Sequence, residues 1–331
     1  MSWLHDALDR LPDPDAVAAA QVRARADDIL RPAGAFARLD DVAVHVASWQ
    51  RTASPAIERP VGVVFAADHG VAFNGAVSAY PTEVTAAMLD ALEQKRATVS
   101  ALAHAVGASV TAVDVGVGRP TGDIRFEAAL RPERFAEVVR TAVAAIADLD
   151  ADLLVIGEMG IGNTTVAAAV THALLGGSAA DWVGRGTGVD DDGLVRKRAA
   201  VEAAAERVAG IDDPLEILRE VGGSELVAMA AAVVAARLRS IPVVLDGFVA
   251  TAAVLPLHVA RRGALDHCLA GHCSAEHAHR ALLDRVGLAP LVDLGLRLGE
   301  GSGAMVAVPI VKMACTAVVD VPTFGEWFGP R

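Results

Sequence analysis

The sequence predicts an α/β fold: a doubly wound, mostly parallel sheet flanked by helices, with a small helical domain built from both chain ends. Three observations predict it. Four short apolar runs rich in β-formers recur along the chain, at Val61–Ala66, Ser109–Val115, Leu153–Ile156 and Ile241–Leu245. Alanine-rich helical stretches lie between them, and alternation of strand and helix implies a parallel sheet covered on both faces. Three of the runs are followed closely by a carboxylate and glycine, as Asp68-His69-Gly70, Gly157-Glu158 and Asp246-Gly247. In such sheets ligands bind beyond the carboxyl ends of the strands, which is where these acids fall.

The elements follow in order. Asp15–Leu30 reads as a helix, preceded by the turn-forming Pro12-Asp13-Pro14 and stopped by Arg31-Pro32. The four apolar runs lack clean alternation, which suits strands buried on both faces. Thr85–Val106, Arg196–Ala209 and Leu226–Leu238 read as helices between them. After Gly287 the strand pattern vanishes, leaving helical segments around Pro290–Leu298 and Gly303–Val319. Pro309 inside the last segment predicts a kink or a late helix start. These readings divide the chain into a large α/β domain over residues 31–286 and a small helical domain from residues 1–30 plus 287–331.

Composition narrows the function. Hydrophobic residues are 53% of the 331, above the roughly 45–50% of ordinary globular chains, so a sizeable core is expected. The net charge is −12 and the longest basic run is Arg196-Lys197-Arg198. A nucleic-acid binder needs a positive patch to displace counterions, so no nucleic acid is expected. The three cysteines, Cys268, Cys273 and Cys315, form no CxxC pair and suggest reduced thiols. The start, MSWLHDALDRLPDPD, carries charges where a signal peptide needs its apolar stretch. Val227–Ala236 and Gly247–Leu257, the most apolar regions, fall short of the ~18 residues of a spanning helix. The expectation is a cytoplasmic protein without a membrane span.

Several motifs could carry chemistry. Gly157-Glu158-Met159-Gly160-Ile161-Gly162-Asn163-Thr164-Thr165 follows an expected strand and opens a helix. Its glycines permit close backbone approach, and free amides at a helix start favour an anion; a plain strand–helix turn is the alternative. It is neither a Walker loop nor an in-register dinucleotide fingerprint, which disfavours a dehydrogenase. Gly184-Arg185-Gly186-Thr187-Gly188-Val189-Asp190 forms a second glycine loop, with Lys197 about two helical turns on. Asp190, Asp191 and Asp192 would repel phosphate there unless they turn away or cap the helix.

Asp68-His69 admits a catalytic pair or a strand-end turn. His267, Cys268, His272, Cys273, His277 and His279 match no standard zinc spacing, and no metal is expected. Ser302 lies in no GxSxG elbow. In Leu298-Gly299-Glu300-Gly301-Ser302-Gly303-Ala304, the glycine-flanked glutamate fits either a general base tuned upward by apolar surroundings or a helix-capping acid.

Taken together, these segments resemble one family, the nicotinate-nucleotide–dimethylbenzimidazole phosphoribosyltransferases of cobalamin lower-ligand assembly. The matching strings are Asp68-His69-Gly70-Val71, the run from Ser78 through Tyr80 and Glu83 to Thr85, and the Gly157–Thr165 loop. They continue with Gly184–Gly188, Arg196–Arg198, Leu245–Phe248, Gly271-His272, Ser274–Glu276 and Leu298–Ala304. They keep the family's order over nearly the whole chain.

The resemblance implies transfer of the phosphoribosyl group of nicotinate mononucleotide to 5,6-dimethylbenzimidazole, giving α-ribazole 5′-phosphate and nicotinate. It implies no metal or organic cofactor, and a homodimer. Glu300, in the small domain, takes the family's general-base position. Glu158, Gly160, Gly162, Asn163, Gly186 and Lys197 should hold the nucleotide and its phosphate, with Asp246 and Ser274 nearby. Ser78, Tyr80, Met88, Met159 and Leu298 should form the base pocket. Two departures stand out: Ala87 replaces a common glutamine, and Cys273 a common arginine. Ala87 motivates an alternative acceptor, such as another benzimidazole, a purine or a phenol. A catalytically silent nucleotide-binding homologue is the alternative of a different class.

Overall fold

Six parallel strands form one sheet in the order β2-β1-β3-β4-β5-β6, in a computed structural model that describes residues 2–329. They are β1 (Pro60–Ala67), β2 (Ser109–Gly116), β3 (Leu153–Met159), β4 (Val243–Leu245), β5 (Cys268–His272) and β6 (Pro290–Val292). The chain runs from β1 out to the edge at β2, then recrosses to β3 on the other side. The winding direction therefore switches between β1 and β3, and a crevice opens at their carboxyl ends.

Both faces are covered. Val61, Val63, Phe65, Leu154, Ile156, Val243 and Leu245 point into one apolar cluster. That cluster takes in Phe135, Val166, Leu215, Leu226 and Val254 from five helices. The intervening residues Val64, Leu153, Val155 and Val244 point into the other. There they meet Val22, Val42, Val99 and Val308 of the helices Ala16–Asp28, Arg38–Gln50, Thr98–Val106 and Ser302–Val319. Side chains alternate across a strand, so continuous apolar runs such as β1 feed both layers. Alanine lets helices pack close: Ser224–Leu238 is buried along almost its whole length.

The structure differs from the sequence expectations in particular places. β2 is an edge strand and half-exposed over much of its length. β5 and β6 carry no clear sequence signal because they are five and three residues long and lack a β-branched run. Pro290–Leu298 is not helical: Pro290 opens edge strand β6, where its missing N–H is tolerated, and Gly295 turns at φ 66°. The single helix expected over Thr85–Val106 is two, Val84–Glu93 and Thr98–Val106, interrupted where Lys95 takes φ 57°. The helix expected over Gly303–Val319 starts at Ser302 and continues through Pro309, so the late start does not occur.

The two chain ends meet. Ile29 and Thr323 form an antiparallel bridge. Arg25 donates to the carbonyls of Val318, Val319 and Val321 at 2.8, 3.2 and 3.0 Å and pairs with Glu326 at 2.7 Å. The first helix, Ser2–Asp9, lies elsewhere, its Leu4 and Leu8 belonging to the opposite cluster. Met1, Pro330 and Arg331, assigned from sequence to the small domain, lie outside the described residues.

Ser302–Val319 is also the one helix among the described residues long and apolar enough to cross a membrane, with mean hydropathy 1.8. It is neither of the two regions that stand out as most apolar in the sequence. More than half of this helix is buried against the sheet, as expected of a core helix.

Candidate active site

The carboxyl ends of β3, β4 and β5 open on a cavity of about 570 Å³, with Glu158, Asp246, His272 and Glu300 in its wall. Tyr80, Val84, Met88, Met159 and Leu298 supply apolar lining. A second cavity of about 40 Å³ adjoins it and shares Gly160, Asn163, Thr164 and Gly186; Ser78, Gly162 and Lys197 line this smaller one.

Glu300 sits on the loop before the helix Ser302–Val319. It takes φ +63° between Gly299 at +87° and Gly301 at +81°. The left-handed conformation costs a residue with a Cβ roughly 1–2 kcal/mol, and such strain gathers at functional sites. Glu300 is 3% exposed, and its Oε2 has no hydrogen-bond partner. Burial pushes the carboxyl above its usual range, opposed by the Val99 amide and reinforced by the charge of Asp246. A desolvated carboxylate with one oxygen unpartnered on a cavity wall is suited to accept a proton.

Glu158, near the end of β3, is likewise buried. Desolvation first, then the charges of Asp246, Glu225 and Glu300, drive its carboxyl well above the ordinary range. The Asn163 amide donates to its Oε2 and works against that rise. Burial thus raises both carboxyls that face the cavity.

The glycine loops meet at the small cavity. Gly162 at φ +94° caps the helix Asn163–Leu175, whose first amides face a prospective anion. Lys197 is 1% exposed and its Nζ donates to Thr164 Oγ1 at 2.8 Å. Burial lowers the Lys197 ammonium to about 8, with Glu276 opposing. Gly186, at φ +55°, needs its missing Cβ: one built there would stand 2.9 Å from Thr164 Oγ1 and 3.3 Å from Lys197 Nζ. The nearby acids are occupied, since Asp190 caps its helix through the Gly193 amide and Asp191 pairs with Arg185 at 2.5 Å.

Asp246 and Ser274 both line the large cavity. Ser274 directs its amide and hydroxyl to His279 Nδ1, both at 2.9 Å. Nδ1 must then accept, leaving the ring proton on Nε2, 3.0 Å from Thr251 Oγ1. Burial holds His279 down at about 3, so the ring is neutral. His267, also at about 3, spends Nε2 on the Val233 carbonyl in the core.

The structure brings the sequence-derived candidates to one place. Ser78, Gly162 and Lys197 line the small cavity, and the remaining candidates the large one. Ala87 lies outside both linings. Sequence reasoning gave Thr164 and His272 no place in the site and missed the buried pair His69–Glu225, whose Nε2 and Oε1 lie 2.6 Å apart. Glu225 opens a helix 156 residues from His69, a separation no local spacing rule detects. The pair lies directly behind Gly160: a Cβ there would be 2.9 Å from both Glu225 Oε1 and His69 Nε2.

Comparison with known proteins finds relatives over nearly the whole chain. A family model described as phosphoribosyltransferase matches residues 11–327. The nicotinate-nucleotide–dimethylbenzimidazole phosphoribosyltransferase of Methylocella silvestris is 48% identical over 320 residues, 96% of this chain and 93% of its own. The protein of the same name from Cereibacter sphaeroides is 46% identical, covering 96% and 94%. The crystal structure of the enzyme so named from Thermus thermophilus superposes with a TM-score of 0.89 at 38% identity, covering 96% of this chain and 99% of that one. The chain therefore belongs to the nicotinate-nucleotide–dimethylbenzimidazole phosphoribosyltransferase family.

Proposed function

We propose that this protein transfers the phosphoribosyl group of nicotinate mononucleotide to 5,6-dimethylbenzimidazole, with Glu300 as general base. The observation that carries the reading is the unpartnered Oε2 of Glu300 in the wall of a cavity that adjoins the glycine loops and Lys197. Glu300 removes the N–H proton of the azole, and the other ring nitrogen attacks C1′ of the ribose. The bond from C1′ to the pyridinium nitrogen breaks, and its electron pair leaves with nicotinate, cancelling the ring's positive charge. Attack opposite the leaving group inverts the anomeric centre and gives the α product. A leaving group already carrying positive charge supplies the activation.

The remaining assignments are part of the proposal. Glu158, Gly160, Gly162, Asn163, Gly186 and Lys197 hold the nucleotide, with its phosphate at the glycine loops, and Asp246 and Ser274 border it. Ser78, Tyr80, Met88, Met159 and Leu298 form the pocket for the base. Residues 31–286 act as the nucleotide-binding domain. The proposed small unit of residues 1–30 plus 287–331 carries Glu300 and is joined by the Arg25 and Ile29 contacts between the chain ends, although β6 belongs to the sheet and Ser2–Asp9 packs on its other face. A homodimer is the proposed active unit: Tyr80 and Leu298 line the cavity yet are 52% and 50% exposed, leaving an apolar rim for a second copy to cover. Three free cysteines suit a cytoplasmic setting.

The test is incubation with nicotinate mononucleotide and dimethylbenzimidazole, followed by chromatography of nicotinate and α-ribazole phosphate. Equimolar formation of both supports the proposal. Nucleotide binding without nicotinate release for any benzimidazole, purine or phenol acceptor would refute it.

A further inference from the structure

The loop that presents Glu300 is secured through its backbone, from the ends of two strands. The Glu300 amide donates to the Glu158 carbonyl at 3.1 Å. The next amide along, from Gly301, donates to Asp246 Oδ2 at 3.2 Å, and that of Ala304 donates to Oδ1 at 2.9 Å. The His272 ring also approaches from β5, its Nε2 3.4 Å from Asp246 Oδ1. Asp246 and His272 are 2% and 3% exposed. The glycines around them are fitted to this arrangement: a Cβ at Gly303 would stand 2.2 Å from the His272 ring, and one at Gly271 2.6 Å from Ala304.

Every polar atom that approaches the Asp246 carboxylate here is a nitrogen able to donate. Only an acceptor-only group satisfies such a set, and an asparagine would turn its NH₂ toward one of the N–H groups. Amide donors on both oxygens therefore specify a carboxylate at position 246. What it holds is the backbone of a residue in a strained conformation, which persists only where the surroundings over-determine it.

We propose that Asp246, steadied by His272, is a positioning residue for Glu300, acting through the Gly301 and Ala304 amides. This rests on Glu300 being the base. It adds to the role of Asp246 as a border of the nucleotide pocket a separate role in presenting the base. The charged and titratable groups that share the cavity wall with Glu300 are Glu158 from β3, Asp246 just after β4, His272 from β5, and Tyr80, Glu276 and Arg297. Of these, Asp246 pushes the Glu300 carboxyl upward, so its loss has an electrostatic signature as well as a geometric one.

The experiment measures kcat and KM for both substrates across pH with the full chain, for Asp246→Asn, His272→Leu, His272→Gln and Glu300→Gln. Misplacing a catalytic group by about 1 Å costs on the order of 100-fold, so Asp246→Asn should lower kcat by that order. Its KM for nicotinate mononucleotide should stay within roughly threefold. The acidic limb of its kcat profile should move to lower pH, because the charge raising Glu300 is gone. His272→Leu should shift kcat in the same direction, and His272→Gln, whose amide can still donate, should recover most of that loss.

A raised KM for the nucleotide with kcat preserved would overturn the proposal in favour of direct substrate contact. A kcat loss with an unmoved acidic limb would reduce Asp246 to a structural residue. Should Asp246→Asn fail to fold, the His272 pair decides: equal loss in both variants overturns the proposal. Full activity of Glu300→Gln would instead remove the base assignment on which it rests, an outcome visible without any Asp246 variant.

Discussion

The amide of Glu300 donates to the carbonyl of Glu158 at 3.1 Å, so the two buried carboxyls of the cavity are joined by main chain. Gly157, one residue earlier, presses its Cα against the same loop: a Cβ there would stand 2.5 Å from the Glu300 carbonyl carbon and the Gly301 amide nitrogen. Both neighbours are backbone, so neither can swing aside. Gly157→Ala should therefore displace the base and lower kcat by on the order of 100-fold. Nucleotide affinity, measured by calorimetry, should change far less. Wild-type turnover in this variant would mean that the loop tolerates movement.

Glu300→Gln keeps the shape of the side chain and removes its basicity. General-base catalysis is worth roughly 10²–10⁴-fold, and a loss of kcat in that range is expected with little change in KM for the nucleotide. Steady-state assays with dimethylbenzimidazole at saturating nucleotide make the comparison.

Lys197 gives a pH signature to binding. Its ammonium lies at about 8 in the free protein because burial disfavours the charge. A phosphate beside it favours the charged form and raises it again. Nucleotide binding above pH 8 should therefore take up a proton, and affinity should fall as pH rises beyond 8. Titration calorimetry in buffers of different ionisation enthalpy reads the uptake directly. Lys197→Met should abolish it.

Gly160→Ala places a methyl 2.8 Å from the Ala67 carbonyl and 2.9 Å from both members of the His69–Glu225 pair. Overpacking of this kind costs roughly 1–3 kcal/mol. A lowered denaturation midpoint is expected, together with weaker nucleotide binding, because the same glycine lines both cavities.

Buried histidines shape the response to acid, His267 and His279 most and His45, held down at about 4, less. His267 and His279 lie at about 3 in the folded protein against 6.5 ordinarily. Between those values the unfolded chain binds more protons than the folded one, so stability falls as pH drops from 6.5 toward 3. Each contributes a slope of up to roughly 1.4 kcal/mol per pH unit. Urea denaturation at pH 7, 5.5 and 4.5 should show the decline, and His267→Gln should flatten it.

Much of this was legible in the sequence because the informative features are local. Continuous apolar runs reported β1 and β3, and a carboxylate beside glycine marked the ends of the strands that carry Glu158 and Asp246. The glycines bracketing Glu300 fit its left-handed turn. What the sequence hid is long-range or small. The three-residue strand β6 carries too little pattern to show a period. His69 and Glu225 meet only after the β1 end and the Ser224–Leu238 helix have packed together. The hold of Asp246 on Gly301 and Ala304 spans 55 and 58 residues. Chemistry of side chains pointed to Asp246 as a residue of the site, whereas its bonds to backbone amides appear only in three dimensions.

The helix Ser302–Val319 bears on how the protein is made. It is synthesised after all six strands, and until it docks, Val64, Val155 and Val244 lack the lid that covers them. A nascent chain thus carries one greasy sheet face and, separately, an unanchored segment apolar enough to be mistaken for a membrane anchor. Such exposed surfaces invite aggregation and chaperone capture. Because Glu300 precedes this helix by two residues, the proposed base is set in place only as the last layer of the core closes.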